Sequence, residues 1–319
     1  MFDVPEEAFI SCRRPNGDIP VVRRVAAHSR VFPKWSGSLV VVLLLAVTSC
    51  ARGAAEEQFL HLHVFDCGTL QFTNAEPYQL RQEEVARTDM SMGCFLVAHP
   101  KGTLMWDVGA VVDGSWKPTG RTERIHIVLP DAQERDVTMV KTLKSQMASA
   151  GYSPADITYL AFSHYHWDHI ANANDFANSV WLVRKSERDI MFSTPPPTRT
   201  IPGNYSALAR SKTILLDKED HDVFGDGKVV LKFSPGHTPG HQVLYLDLPK
   251  TGRVVLSGDL YHYPEERTLK RIPVRDNQAQ TAASRSALET FLKQTRAQLW
   301  IQHDITAHEK LKKAPEYYE

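Results

Sequence analysis

The chain has 319 residues, in which 37 lysines and arginines balance 37 aspartates and glutamates, giving a formal net charge of zero. That balance leaves no basic stripe for a nucleic-acid surface, so nucleic acids and other polyanions are excluded as partners. Histidine is the outlier at 14 residues, several of them beside aspartates, a composition suited to holding divalent metal.

Residues 1–57 read as an N-terminal extension ending in a targeting segment, and 58–319 as one catalytic domain long enough to bury a large core. Leu39–Val47 is wholly apolar, follows Arg30 and Lys34, and gives way to small residues before Cys50, the pattern of a secretory signal. It is shorter than the roughly 20 apolar residues that span a bilayer. Val47, Thr48, Ser49 and Cys50 resemble a bacterial lipobox, so two routes are expected: a lipid anchor on Cys50, or ordinary cleavage after Ala54 or Ala55. Either route exports the domain, to the periplasm or to a membrane surface. Residues 1–30 are polar and unpatterned, which places the expected start of translation at Val31. Cys67 and Cys94 remain in the mature domain; they can pair in an oxidising compartment or sit apart as buried thiols, and spacing alone does not choose.

Leu60–Phe65 alternates as a strand, and Cys94–Ala98 begins another, which turns at His99–Gly102 into Thr103–Asp107. Over Arg135–Ala150 the residues Val137, Val140, Leu143 and Met147 stand at helical spacing, with Gly151 and Pro154 as the stop, so a helix is predicted there. Ile157–Phe162 is an apolar strand that runs into a histidine cluster. Ser193–Gly203, with four prolines, is a loop, either a flap over the site or a surface excursion with no contact to substrate. Val229–Phe233, Val243–Leu248 and Arg253–Leu256 read as strands, Ser284–Arg296 as a helix and Leu299–Gln302 as a last strand. Strands in runs with helices between them fit a layered α/β sandwich better than one parallel sheet.

Ser163-His164-Tyr165-His166-Trp167-Asp168-His169 is the strongest chemical signal. Residues two apart at a strand end face one way, so His164 and His166 can share a metal, leaving Asp168 and His169 for a second. Further donors are His237, in the glycine- and proline-framed run 235–241, Asp259 after Ser257-Gly258, and His303, each at a predicted strand end. His241 reads as a supporting or packing residue rather than a ligand. His61, His63, His99, His126, His221 and His308 read as solvated or hydrogen-bonded, and Trp167 as packing.

The order HxHxDH, GHTPGH, SGD and a late histidine resembles the metallo-beta-lactamase superfamily from about residue 58 onward. The resemblance implies a four-layer αβ/βα sandwich with two Zn²⁺ ions in a cleft at one edge of the sheets; other divalent transition metals suit the same donors. It allots His164, His166 and His237 to the first ion and Asp168, His169 and His303 to the second, with Asp259 bridging. The two aspartates and a shared hydroxide would cancel three of the four positive charges of ions roughly 3.5–4 Å apart, and that hydroxide would be the nucleophile.

Within the superfamily the likeness is to N-acyl homoserine lactonases, which quench quorum sensing. It is carried by Phe65–Gly68, Trp106–Gly109, Gly258–Glu265 and Trp300–Asp304. The implied reaction is opening of a small-molecule lactone or ester, with His262 or Tyr261 assisting the developing oxyanion. Those lactonases carry tyrosine three places after the bridging aspartate, where this chain has His262 between Tyr261 and Tyr263. The runner-up is a thioester hydrolase of the hydroxyacylglutathione hydrolase type, which shares the seven ligands. β-Lactam hydrolases of the fold lack the bridging aspartate, so Asp259 argues against them.

Overall fold

In the computed structural model, which describes residues 60–319, fourteen strands form two sheets. The targeting segment, Cys50 and the expected start at Val31 lie outside the described residues. The first sheet holds β1 (His61–Leu70), β2 (Met90–His99), β3 (Gly102–Trp106), β4 (Glu123–Val128), β5 (Glu134–Met139), β6 (Tyr159–Ala161), β7 (Val180–Arg184) and β8 (Thr213–Leu216), in the order β4-β5-β1-β2-β3-β6-β7-β8. The second holds β9 (His221–Asp222), β10 (Val229–Phe233), β11 (Gln242–Leu248), β12 (Gly252–Leu256) and β13 (Gln298–Trp300), in the order β13-β12-β11-β10-β9. A short β14 (Tyr317–Tyr318) pairs with β1. The helices are α1 (Leu143–Ser149), α2 (Trp167–Ile170), α3 (Lys185–Met191), α4 (Pro264–Thr268), α5 (Gln278–Thr295) and α6 (Ile305–His308).

Because successive strand residues face opposite ways, each sheet feeds two cores. In β2, Phe95 and Val97 point between the sheets, where Leu244 and Leu246 of β11 and Val254 and Leu256 of β12 join them. Met92, Cys94 and Leu96 point the other way and share a core with Leu143 and Met147 of α1. On the second sheet, Val243, Tyr245 and Val255 face outward beneath Leu288 and Leu292 of α5. Three stacked cores make four layers, the αβ/βα sandwich implied by the sequence.

The helix expected over Arg135–Ala150 is half strand. β5 pairs with β4 on one side and with β1 on the other, so Val137 meets both Ile125 and Leu70, and Val137 and Met139 alternate inward. Pairing with two neighbours outweighs the local helical spacing. Val140, assigned to the helix's apolar face, is exposed. The helix starts only after Thr142, whose hydroxyl accepts the Ser145 N–H at 3.2 Å. At the other end of the chain, α5 begins at Gln278 rather than Ser284 because the Asn277 side chain caps it, accepting the Gln280 N–H at 3.1 Å.

Cys67 of β1 and Cys94 of β2 are joined as a disulfide, which settles the alternative left open by their spacing. Gly109 lies directly against it: a Cβ there would stand 3.1 Å from Cys67 Cβ. The pairs β3–β6 and β12–β13 are parallel, so the loops leaving β3, β6, β12 and β13 gather at one edge of the sandwich, the edge where such folds place their ligands.

Candidate metal centre

His164 and His166 lie in the turn between β6 and α2, with His166 in extended backbone at the N-cap of α2 and Asp168 and His169 inside that short helix. His164 Nε2 stands 2.7 Å from His166 Nδ1, and His237 Nε2 stands 2.9 Å from the same nitrogen. Three imidazole nitrogens so aimed at one another are a donor set for a cation. His237 reaches them from the loop between β10 and β11. There Gly236, at φ +139°, leaves no room for a side chain, since a Cβ would lie 2.4 Å from Thr281 N in α5.

Asp259 follows β12 and turns one oxygen to each of two groups. Its Oδ2 is 3.5 Å from His164 Nε2, 3.2 Å from His237 Nε2 and 3.1 Å from His262 Nε2. Its Oδ1 is 3.0 Å from both His169 Nε2 and His303 Nε2. Asp168 Oδ2 completes the second group, 3.8 Å from His169 Nε2 and 3.7 Å from His303 Nε2. The seven residues thus converge as two donor sets, His164–His166–His237–Asp259 and Asp168–His169–His303. Asp168 Oδ1, His169 Nε2 and Asp259 Oδ1 are buried with no hydrogen-bond partner. Orphaned donor atoms at such a density are costly unless a cation satisfies them, so these residues fit a pair of divalent ions.

Behind the donors stands a ring of acceptors, as metal-binding imidazoles require. His169 Nδ1 donates to Asp107 at 2.9 Å, His237 Nδ1 to Asp276 at 3.0 Å and His303 Nδ1 to the Ser91 carbonyl at 2.7 Å. Asp107 also accepts from the Ser163 N–H at 2.7 Å and from Gln302 Nε2 at 2.6 Å, linking the turn after β6 to the loop after β13. Glu187 of α3 ties the two histidine loops together, accepting from the Tyr165 N–H at 2.9 Å and the Gly240 N–H at 2.7 Å. His241 takes the Asp259 N–H on Nε2 at 3.0 Å and pairs its Nδ1 with the Ser234 carbonyl at 3.0 Å, so it orients the loop and does not face the donors. Asp276, Glu187 and Ser91 carried no signal in the sequence; Asp107 did only as part of Trp106–Gly109.

Burial, with the charge of Arg199 after it, lowers His166 well below the usual imidazole range, and burial likewise lowers His164. Burial also disfavours a charged His169, yet Asp259, Asp107 and Asp168 outweigh it and hold its pKa well above that range. For Asp259, burial is overcome by His303, His169, His164 and His262, which keep its carboxyl well below the ordinary value. The centre is therefore an anionic bridge among imidazoles in a site of low dielectric.

Of the two residues expected to assist the reaction, only His262 faces the donors. Tyr261 sits in extended backbone, so adjacent side chains point opposite ways. It lies under the Arg285 guanidinium at 4.2 Å and donates its hydroxyl to Glu289 at 3.2 Å, on the α5 side of the sheet. Tyr261 therefore stands away from the donors it was expected to assist. Tyr263 is engaged too, donating to the Thr88 carbonyl at 2.6 Å. Tyr78, which the sequence did not single out, packs its ring 4.5 Å from that of His262. Burial raises its phenol above the usual range, and Asp259 and Asp168 add to the rise. The proline-rich loop is docked beside the donor-bearing turn: the Trp167 N–H donates to the Arg199 carbonyl at 2.9 Å, and Asn174 Nδ2 to that of Gly203 at 2.6 Å. Trp167 itself packs in the core beneath.

The chain is similar to the N-acyl homoserine lactonase AttM of Azorhizobium caulinodans, 29% identical over 268 residues that cover 82% of this chain and 99% of that protein. It is 26% identical to the N-acyl homoserine lactonase AiiA of Bacillus thuringiensis subsp. kurstaki over 241 residues, 72% of this chain and 87% of that one. Among solved structures, an N-acyl homoserine lactone hydrolase with N-hexanoyl-L-homoserine at its catalytic metal center superposes with a TM-score of 0.65 at 20% identity, over 82% of this chain and 99% of the other. AidC, a dizinc quorum-quenching lactonase, superposes with a TM-score of 0.54 at 18% identity, over 82% and 94%. The profile of the metallo-beta-lactamase superfamily matches residues 94–297. With the donors converging at one edge of an αβ/βα sandwich, the chain belongs to the metallo-beta-lactamase superfamily.

Proposed function

We propose that this protein is a dinuclear zinc hydrolase that opens a lactone ring, with N-acyl homoserine lactones as its substrates. The observation that carries the substrate class is the extent of the likeness to the AttM lactonases, which runs over 98–99% of three of those proteins at 28–29% identity. The donor set supports the metals. His164, His166 and His237 would hold one ion and Asp168, His169 and His303 the other, with Asp259 spanning both. Bound there, the pair supplies a hydroxide nucleophile near neutral pH and draws electron density from the scissile carbonyl.

The chain's own residues prepare that chemistry. Asp107, Asp276 and the Ser91 carbonyl fix the imidazole tautomers, so each Nε2 presents a lone pair without rearrangement. Asp168 and Asp259 offset the positive charge of the pair. Tyr78, packed between Phe72 and Tyr263, lies against His262 at the edge of the centre, and the donor side chains are buried, which strengthens the charge interactions among them. The protein is proposed to work outside the cytoplasm, a reading supported by the apolar run Leu39–Val47 and by the Cys67–Cys94 disulfide.

The test is a panel of N-acyl homoserine lactones, thioesters, phosphotriesters and β-lactams assayed with zinc-reconstituted protein. Lactone opening should exceed turnover of the other classes. Turnover of the thioester alone would overturn the lactonase reading and leave the metal centre standing.

A further inference from the structure

Five imidazoles, not four, aim Nε2 at the carboxylate or nitrogens of the centre while an outer acceptor holds Nδ1 or its neighbourhood. His262 is the fifth. Its Nδ1 lies 3.2 Å from Glu266 Oε1, and Glu266 is fully buried and paired with the Arg285 guanidinium. This is the arrangement seen behind His169 with Asp107 and behind His237 with Asp276. On the inner side, His262 Nε2 stands 3.1 Å from Asp259 Oδ2, the oxygen shared with His164 and His237.

That contact is close but is not aligned as a hydrogen bond: His262 Nε2 is buried with no partner, in the same condition as His169 Nε2 at 3.0 Å from Asp259 Oδ1. A nitrogen and a carboxylate oxygen brought together without hydrogen-bond geometry are what a cation between them needs. The ring is also framed by donor imidazoles, stacked on His303 at 5.7 Å and edge-on to His237 at 5.0 Å. A protonated His262 would add a positive charge beside two divalent ions, whereas a neutral ring with Nδ1–H on Glu266 presents its lone pair to them.

We infer that His262 is an additional ligand of the ion held by His164, His166, His237 and Asp259, oriented for that role by Glu266 and Arg285, rather than a group reserved for the oxyanion. The inference rests on the metal-centre part of the proposed function and not on the lactone. It gives that half five protein donors, a number suited to an ion in expanded coordination rather than a tetrahedral one.

The experiment is a crystal structure of the full mature chain loaded with zinc, joined to chelator competition on the wild type, His262→Gln and Glu266→Gln. The expected result is His262 Nε2 within the roughly 2.0–2.2 Å of a zinc–nitrogen bond. One of the two ions should be lost about tenfold or more readily in His262→Gln, and to a lesser degree in Glu266→Gln. A bound pair of ions with His262 Nε2 beyond 3 Å, and unchanged retention in His262→Gln, would overturn the inference while leaving the seven-residue centre intact. Failure of the wild type to hold any metal would overturn both. The wild-type structure decides the matter even if the variants fold poorly.

Discussion

The two halves of the centre share one carboxylate but are built on different charge. The half around His164, His166 and His237 is all imidazole, with its negative charge one bond further out, on Asp276 behind His237. The half around His169 and His303 holds a carboxylate among its donors, Asp168, and a second one, Asp107, directly behind His169. An ion in the first half would keep more of its positive charge and be the stronger Lewis acid; an ion in the second half would be more fully neutralised. On the proposed function, polarising a substrate and anchoring a cation would thereby be divided between neighbouring sites.

The largest effect should come from breaking what the halves share. Asp259→Asn is nearly isosteric but removes the charge that faces both, and activity is expected to fall more than the roughly 10–100-fold that a partner behind a ligand is worth. Metal content by elemental analysis should fall with it, and wild-type turnover in that variant would deny Asp259 a spanning role. The halves can next be separated from behind. Asp107→Asn should weaken retention of the second ion, and Asp276→Asn that of the first, each by about 10–100-fold. Stepwise chelation of cobalt-loaded protein would distinguish them, and equal loss of both ions from both variants would refute the division.

The smallest effect contrasts the centre with a buried histidine outside the donor cluster. His63 is buried against Tyr152 and Tyr317, and burial, with His61 after it, lowers its pKa to about 4. The unfolded chain takes up that proton near pH 6.5, so the stability this neutral ring contributes is complete above pH 6.5 and is lost as pH falls through 4. The loss amounts to about 3 kcal/mol. Denaturation midpoints of the wild type should decline across that window more steeply than those of His63→Gln, and parallel curves would exclude the contribution.

What was legible in the sequence was whatever depends on residue type at a strand end. His164, His166, Asp168, His169, His237, Asp259 and His303 announce themselves because imidazole and carboxylate at those spacings have few other uses. Short runs joined by turns marked most strands of the second sheet for the same local reason. What was not legible depends on partners distant in the chain. β5 is a strand because β1 and β4 flank it, and nothing within Arg135–Ala150 records them. Asp276, 39 residues from His237, is an ordinary aspartate until α5 brings it there. Tyr261 and His262 differ by one position, and only the direction in which the chain leaves β12 decides which one faces the donor cluster.

The bond between Cys67 and Cys94 closes a sequence separation of 27 residues, a constraint on the unfolded chain of about 3.5 kcal/mol in the loop-entropy account. It lies under Gly109, and the segment Asp107–Gly109 grips α2 through Val108 N–H to the His169 carbonyl at 2.7 Å and Ala171 N–H to the Gly109 carbonyl at 2.9 Å. Oxidation of one thiol pair thus clamps the floor beneath the donor cluster, and protein made under reducing conditions would be assembled without that clamp.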